Sequence, residues 1–430
     1  MYAFRSFISI MRRFLRQCIA AIIIGILAGG VSAFFLIALA AVSTLSTTYS
    51  WLLYGLPVAG IAIAWLYQRF GLAVSAGNNL IIDAIHQPHT TAVPLRMLPL
   101  ILSTTLLTHL FGGSAGREGT AVQMGGSLAS TLARWLRVDP RDTSVVLLMG
   151  ISAGFGSVFG TPVAGAIFAL EVLVRGQIRY SALLVVLLAA VVGDQTVRLL
   201  HVPHAHYHVS NIPPITLVLI GKLVVAGIVF AAVSGLFVIL LQAIDSLSKK
   251  HLAQPILRVF TGGVVVVGMT ILLGTRAYNG LSLPLLADTF EGGVSTWAFV
   301  AKLLLTVLTL GFGFKGGEVT PLFVIGATLG SSVGLFMDVE PTFMAALGFV
   351  AVFAAATNTP LACIMMGIEL FGGAMILPLT IVTVVAYASS GPHGIYESQR
   401  MGNHRLRLLH EVRIIRLYQL RRWVRRWLRQ

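Results

Sequence analysis

Apolar residues run along this chain in blocks of two kinds. Four blocks, 17–45, 178–200, 214–243 and 256–274, are long enough for a helix to cross a bilayer, which takes about 20 residues. The others are short or broken by Gly, Pro or Asn, near 79–86, 95–111, 120–137, 143–155, 162–174, 297–312, 320–336, 342–356, 360–371 and 374–389. Backbone that breaks inside a membrane exposes polar groups that lipid cannot satisfy, so it must be buried in protein or line a wet cavity. So many interrupted helices predict an internal site.

The polar positions set into these blocks repeat. Gly116-Arg117-Glu118-Gly119-Thr120 stands directly before one apolar run, and Gly317-Glu318-Val319-Thr320 before another, with Gly126 matched further along by Gly326. Gly150 stands twelve residues before Pro162 and Gly348 twelve before Pro360, and nine residues beyond each proline comes an acid, Glu171 or Glu369. A duplication of about half the chain in a hydrophobic protein predicts a transporter whose site lies between the two repeats.

Composition agrees: 57% of the 430 residues are hydrophobic and 10% charged, with a mean hydropathy of +0.88, far from a soluble globular chain. The net charge of +15 would suggest nucleic acid on a soluble protein, but here the basic residues gather at the ends and in short loops, as the positive-inside rule requires. The organisation expected is a basic cytoplasmic segment over 1–16, a first transmembrane repeat over 17–200, a connecting loop over 201–213, a second repeat over 214–400 and a basic tail over 401–430. Nine arginines at helical spacing make that tail an amphipathic helix for anionic headgroups or the protein's own inner face. Both termini are placed in the cytoplasm of a cell whose inner (plasma) membrane the chain spans. The apolar run from Ile19 to Leu45 is too long for a cleaved signal and reads as the first membrane helix. Cys18 and Cys363 lack ligand spacing and read as buried free thiols. His201, His204, His206 and His208 have a spacing that suits a divalent metal, but with no paired carboxylate or cysteine they read as an exposed loop. No metal and no cofactor is expected.

Gly116 and Gly119 permit tight turns before a helix, and a helix start presents unpaired N–H groups that attract an anion. Two such starts, one from each repeat, would form an anion site with no full positive charge. An ionised Glu118 can occupy that site itself and leave it when protonated, which links proton and anion binding at one side chain; the structural alternative is a capping glutamate paired with Arg117. Glu318 is either a second acid near the anion path or a partner of Lys315 three residues earlier. Glu171 and Glu369 read as structural, packing or capping beside neighbours such as Arg175. Asp83 and His86 could line a vestibule. No Ser/Lys, paired-Asp or His-Glu-x-x-His constellation supports an intramembrane enzyme.

At these residues the chain resembles the CLC family of anion channels and anion/proton antiporters. Gly116-Arg117-Glu118-Gly119 matches the family's gating-glutamate motif, and Gly317 to Pro321 resembles its second anion-binding helix start. The departures point to one branch. Gly77-Asn78-Asn79-Leu80-Ile81 replaces Gly-Ser-Gly-Ile-Pro, Thr120 replaces a proline, Val319 replaces a phenylalanine, and Val172 stands where many chloride/proton antiporters carry an inner glutamate. Together they resemble the fluoride/proton antiporters.

The resemblance implies an all-α membrane protein, an inverted repeat of two halves with broken and re-entrant helices meeting at a midplane anion site. It implies exchange of fluoride for protons, with a chloride-type antiporter or channel as the alternative, and a homodimer in the lipid bilayer. Glu118 would be gate and proton carrier, aided by Glu318, with Gly77, Asn78, Gly116, Arg117, Gly119, Val319, Thr320 and Tyr396 around the anion. Fluoride is small and a strong hydrogen-bond acceptor, so the Asn78 amide and Thr320 hydroxyl suit it as donors. Asn79 reads instead as turn or cap chemistry.

Overall fold

A computed structural model describes residues 2–401 except 89, 205, 206, 208, 210, 294, 392 and 393. The expected tail helix lies, apart from residue 401, outside the described residues, as do His206 and His208.

Among the described residues sixteen α-helices fall into two sets of eight. The first comprises α1 (Tyr2–Thr48), α2 (Leu56–Phe70), α3 (Asn78–His86), α4 (Met97–Leu110), α5 (Glu118–Trp135), α6 (Pro140–Phe159), α7 (Pro162–Glu171) and α8 (Leu183–Leu199). The second repeats their order and relative lengths: α9 (Leu217–His251), α10 (Pro255–Leu273), α11 (Leu283–Glu291), α12 (Ala298–Gly311), α13 (Val319–Met337), α14 (Pro341–Thr357), α15 (Pro360–Phe371) and α16 (Ile376–Ser389). The break falls between Leu199 and Leu217, where the histidine loop was expected.

Packing repeats as well. Helix α1 packs on α8 as α9 packs on α16, and α5 on α6 as α13 on α14, while α2 meets α10 and α7 meets α15 across the two halves. Glycine makes the tightest of these crossings possible: a Cβ on Gly125 would overlap the Gly150 carbonyl, and one on Gly326 would overlap that of Gly348, so the counterpart of Gly326 is Gly125 rather than Gly126, which faces Ile81. Proline opens α7 and α15, where its missing N–H is not needed.

Among the described residues seven helical segments are long and apolar enough to cross a membrane, three more than the four apolar blocks suggest. The additions are Ser50–Phe70, Asp142–Phe159 and Val319–Met337. The last two are rich in glycine and small residues, which the sequence pattern reads as interruptions. They remain continuous helices because they are 83% and 89% buried among other helices, where small residues admit a neighbour. Helix α1 also runs unbroken through Arg12, Arg13 and Arg16, so no joint separates the basic segment from the first span. Arg13 Nε donates to Asp142 at the start of α6, 3.0 Å away.

Outside the helices, β1 (Val174–Arg175) pairs in parallel with β2 (Arg400–Met401), tying the end of the second repeat to the first. Asn79 Oδ1 strengthens that tie by accepting from Ser398 N–H at 3.2 Å, a bond to the far end of the second repeat in place of the turn or cap chemistry expected of it. Cys18 and Cys363 are free thiols, the latter buried.

Candidate functional site

The two repeats meet backbone to backbone just ahead of α5 and α13. Gly116 N–H donates to Gly317 C=O at 2.6 Å and Gly317 N–H to Gly116 C=O at 2.8 Å. A side chain on either glycine would strike the other strand of this bridge. The reciprocal bridge places both helix starts at one point inside the protein.

Glu118 opens α5 and is fully buried. Its carboxylate reaches into the other repeat. Thr320 N–H, in the first turn of α13, donates to Oε2 at 2.9 Å, and the Thr320 hydroxyl lies 2.7 and 2.6 Å from the two oxygens. Arg117 adds its own N–H at 3.2 Å and its guanidinium Nε at 3.4 Å. The carboxylate therefore sits on the α13 start, where unpaired backbone donors and the positive end of the helix dipole favour an anion. The Arg117 pairing is present too, as one contact among several rather than as the whole environment of the acid.

Above Glu118 lies a cavity of about 20 Å³ lined by Arg117, Phe159, Tyr207, Leu283, Leu286, Thr320, Phe323, Phe349 and Leu370. That is room for about one water-sized occupant, not for a hydrated ion. Its aromatic wall is continuous with a packed cluster: Phe323 stacks on Phe349 with centroids 4.0 Å apart, and Phe159 meets Phe323 edge-on at 5.1 Å. Tyr207, from the histidine loop, stacks on Phe290 at 5.0 Å.

On the other side, Gly119 faces Asn78, Gly317 and Glu318: a Cβ there would lie 3.0 Å from Asn78 Nδ2, 3.2 Å from Gly317 Cα and 3.6 Å from Glu318 Oε2. Asn78 opens α3 after Gly77, whose φ of +59° favours glycine. Asn78 Oδ1 and Glu318 Oε2 are buried and have no hydrogen-bond partner among the described residues. Lys315 does not pair with Glu318; its ammonium lies over the Tyr67 ring, 4.3 Å from the centroid. Glu318 is thus not held by the partner that sequence spacing offers it.

The remaining expectations divide. Val319 is buried directly before Thr320. Thr120 bonds its hydroxyl to that of Thr105 at 2.9 Å and not to Glu118. Tyr396 is buried and its ring meets Phe168 at 6.3 Å, with no hydrogen bond to either glutamate. Glu171 and Glu369 cap helices, and Arg175 donates to Gln399 at 2.8 Å. Glu171 accepts from Leu361 and Ala362 N–H at 3.2 and 2.9 Å, and Glu369 from Val163 and Ala164 N–H at 3.0 and 2.8 Å, so each caps the other repeat's helix. His86 lines a cavity of about 270 Å³ shared with Leu170, Gln177 and Arg179, and its Nε2 lies 3.2 Å from the Leu173 carbonyl. His204 is half-buried rather than exposed: its Nε2 lies 2.9 Å from Ser157 C=O. Among the described residues no histidine, cysteine and acid group gathers that could hold a metal.

Sequence reading missed Lys302, Gln123 and the aromatic wall. Gln123 is buried on α5, one turn after Gly119, with its amide 3.3 to 3.7 Å from where a Gly77 Cβ would be. The aromatic wall left a signal, since Phe155 and Phe353 each precede the repeated proline by seven residues and their rings stack at 6.4 Å.

Comparison with known proteins gives a consistent picture. A family model described as voltage gated chloride channel matches residues 59–391. A chloride/fluoride channel protein of Pseudomonas syringae pv. tomato is 44% identical over 400 residues, covering 91% of this chain and 88% of the relative. The H(+)/Cl(−) exchange transporter ClcA of Vibrio cholerae is 27% identical over 402 residues, covering 85% of this chain and 84% of its own length. Among solved structures, a CLC-type fluoride/proton antiporter superposes with a TM-score of 0.88 at 36% identity, over 90% of this chain and 98% of the other. A slow cyanobacterial Cl−/H+ antiporter shares the fold, with a TM-score of 0.78 at 22% identity over 93% and 99% of the two chains.

Proposed function

The chain belongs to the CLC family of membrane anion channels and anion/proton antiporters, and within it we propose that this protein exports fluoride in exchange for protons, with Glu118 as gate and proton carrier. The observation that carries the reading is the Glu118 carboxylate on the first turn of α13, held by Thr320 N–H and Oγ. A side chain in the seat of an anion competes with that anion. Protonation weakens its hold on the helix start and frees the seat, so one proton and one anion exchange at one place.

Fluoride is favoured over chloride on chemical grounds. The cavity above the gate admits one water-sized occupant, so an ion must shed its hydration there. Only strong donors can replace the shell of the smallest halide; Thr320 supplies a hydroxyl and a backbone N–H at the cavity, and Asn78 and Glu318 stand on the far side of Glu118 to take the ion onward. The likeness to a solved fluoride/proton antiporter and to a chloride/fluoride channel protein supports the same reading. We place Gly77, Gly116, Arg117, Gly119, Val319 and Tyr396 around this path as shape and backbone, with the chain working as a homodimer in the plasma membrane and both ends in the cytoplasm.

The test is efflux of fluoride against chloride from proteoliposomes, with internal pH recorded in parallel. Fluoride efflux should drive proton uptake and outrun chloride, and Glu118→Gln should abolish the coupling. Comparable chloride flux returns the chain to the chloride-type reading; fluoride flux without proton movement makes it a channel.

A further inference from the structure

Lys302, on α12, is 0% exposed. Its Nζ lies 2.9 Å from Ser114 Oγ, 2.9 Å from Ser282 Oγ, 3.1 Å from Tyr278 C=O and 2.8 Å from Gly280 C=O. None of the ion pairs among the described residues involves it. A buried ammonium without a counter-charge is costly, and an ionisable group inside a membrane protein calls for a function.

Its four contacts belong to two loops far apart in sequence. Ser114 lies in the loop that carries the Gly116 bridge and leads into Glu118, and the hydroxyls of Thr306 and Thr309 on the same α12 hold it further, at 2.9 and 3.1 Å. Tyr278, Gly280 and Ser282 form the loop between α10 and α11, and Ser282 enters α11 in a left-handed conformation, φ +57°. Directly after it stand Leu283 and, one turn on, Leu286, both in the wall of the cavity above Glu118. One ammonium thus ties the gate's loop to the wall that faces the gate. The duplication does not supply this tie twice: at the Gly116-to-Gly317 offset Lys302 corresponds to Ile101, and Ser114 to Lys315.

We propose that Lys302 is a positioning residue that fixes the Leu283–Leu286 wall against the Glu118 loop, and so sets the cavity size on which anion discrimination and proton coupling depend. The inference rests on the exchange reading. Loosening the tie widens the cavity, which favours a larger or partly hydrated anion and lets anions pass without waiting for the gate.

The experiment compares wild type with Lys302→Met in proteoliposomes, measuring the chloride-to-fluoride flux ratio and protons moved per fluoride. Both are ratios within the folded population and are unaffected by yield. The expected result is a rise of about tenfold in the flux ratio, the scale of discrimination that pocket fit supplies, with fewer protons per fluoride. If Lys302→Met does not fold, Ser114→Ala with Ser282→Ala keeps the charge, removes two of the four acceptors, and should move both ratios the same way by less. Ratios equal to wild type in the folded variant overturn the role of Lys302 and leave the transport reading standing. A wild type with no proton-coupled flux overturns that reading instead.

Discussion

Two pairs of glutamates are related by the internal repeat, and the structure uses them in opposite ways. Glu171 and Glu369 are equivalent in sequence and in environment: each crosses to the other half and accepts two backbone N–H groups at a helix start. Glu118 and Glu318 are matched only by the Glu-x-Thr spacing, since at the Gly116–Gly317 bridge Glu118 stands opposite Val319. The first has its carboxylate fully engaged by the other repeat, and the second keeps a buried oxygen without a partner among the described residues. Both pairs place a carboxylate near helix starts, so helix electrostatics alone does not separate them. What separates them is whether the second copy mirrors the first. Where it does, each carboxylate is held by two backbone N–H groups of the other half; where it does not, the proposed exchange gives one acid a second partner to move to.

The largest effect follows from breaking the symmetric pair. Glu171→Ala leaves two N–H groups of α15 without their acceptor in a buried place, and should cost about 3 kcal/mol, since bonds to a charged group are worth roughly 1.5 to 3 kcal/mol each. Glu369→Ala should cost less, about 2 kcal/mol, because Glu369 is half-buried and water can replace part of the cap. Thermal unfolding in detergent measures both. A loss of proton coupling in the folded fraction of either variant would blur the distinction drawn between the pairs.

Next in size is a pair of glycine substitutions that tests whether the frame itself is symmetric. Gly125→Ala and Gly326→Ala each push a methyl into a neighbouring carbonyl at equivalent helix crossings, and each should cost about 1 to 3 kcal/mol. Closely similar losses in melting temperature would confirm equal packing. A variant that melts like wild type would show that its crossing relaxes, and the two halves would then differ in their frame as well as in their acids.

Smaller again is the effect of Thr320→Val, which keeps the shape and the backbone N–H but removes the hydroxyl from Glu118. A neutral donor to a carboxylate is worth about 1.5 kcal/mol, or roughly tenfold in the gate's equilibrium. Protons moved per fluoride should fall, with Thr320→Ser restoring the ratio. Equal ratios for Val and wild type would mean that the backbone N–H alone seats the gate.

Much of this was legible in the chain. The spacing of Gly150, Pro162 and Glu171 against Gly348, Pro360 and Glu369 declared the repeat, and Gly116 to Thr120 marked the start of α5 that meets the other half. The partners were not legible, because they lie across the repeat boundary: Arg175 is near Glu171 in sequence, yet the groups Glu171 caps are 190 positions away. Lys315 was the local candidate for Glu318 and went to an aromatic ring instead. Lys302 gave no signal at all, since a single lysine in an apolar run forms no motif. Its meaning comes from two loops that only the fold brings together.

The finest test of the comparison is Glu318→Gln, which changes almost nothing but the ability to take up and release a proton. The side chain keeps its size, and Oε2 has no hydrogen bond to lose, so stability should stay within about 0.5 kcal/mol of wild type. If Glu318 hands protons between Glu118 and the cytoplasm, proton flux should fall while fluoride binding, followed by calorimetry, persists. A melting shift as large as that of Glu171→Ala would make Glu318 a structural acid after all. Unchanged proton flux would leave Glu118 to carry the proton alone, and the unpaired oxygen of Glu318 would then serve the anion rather than the proton.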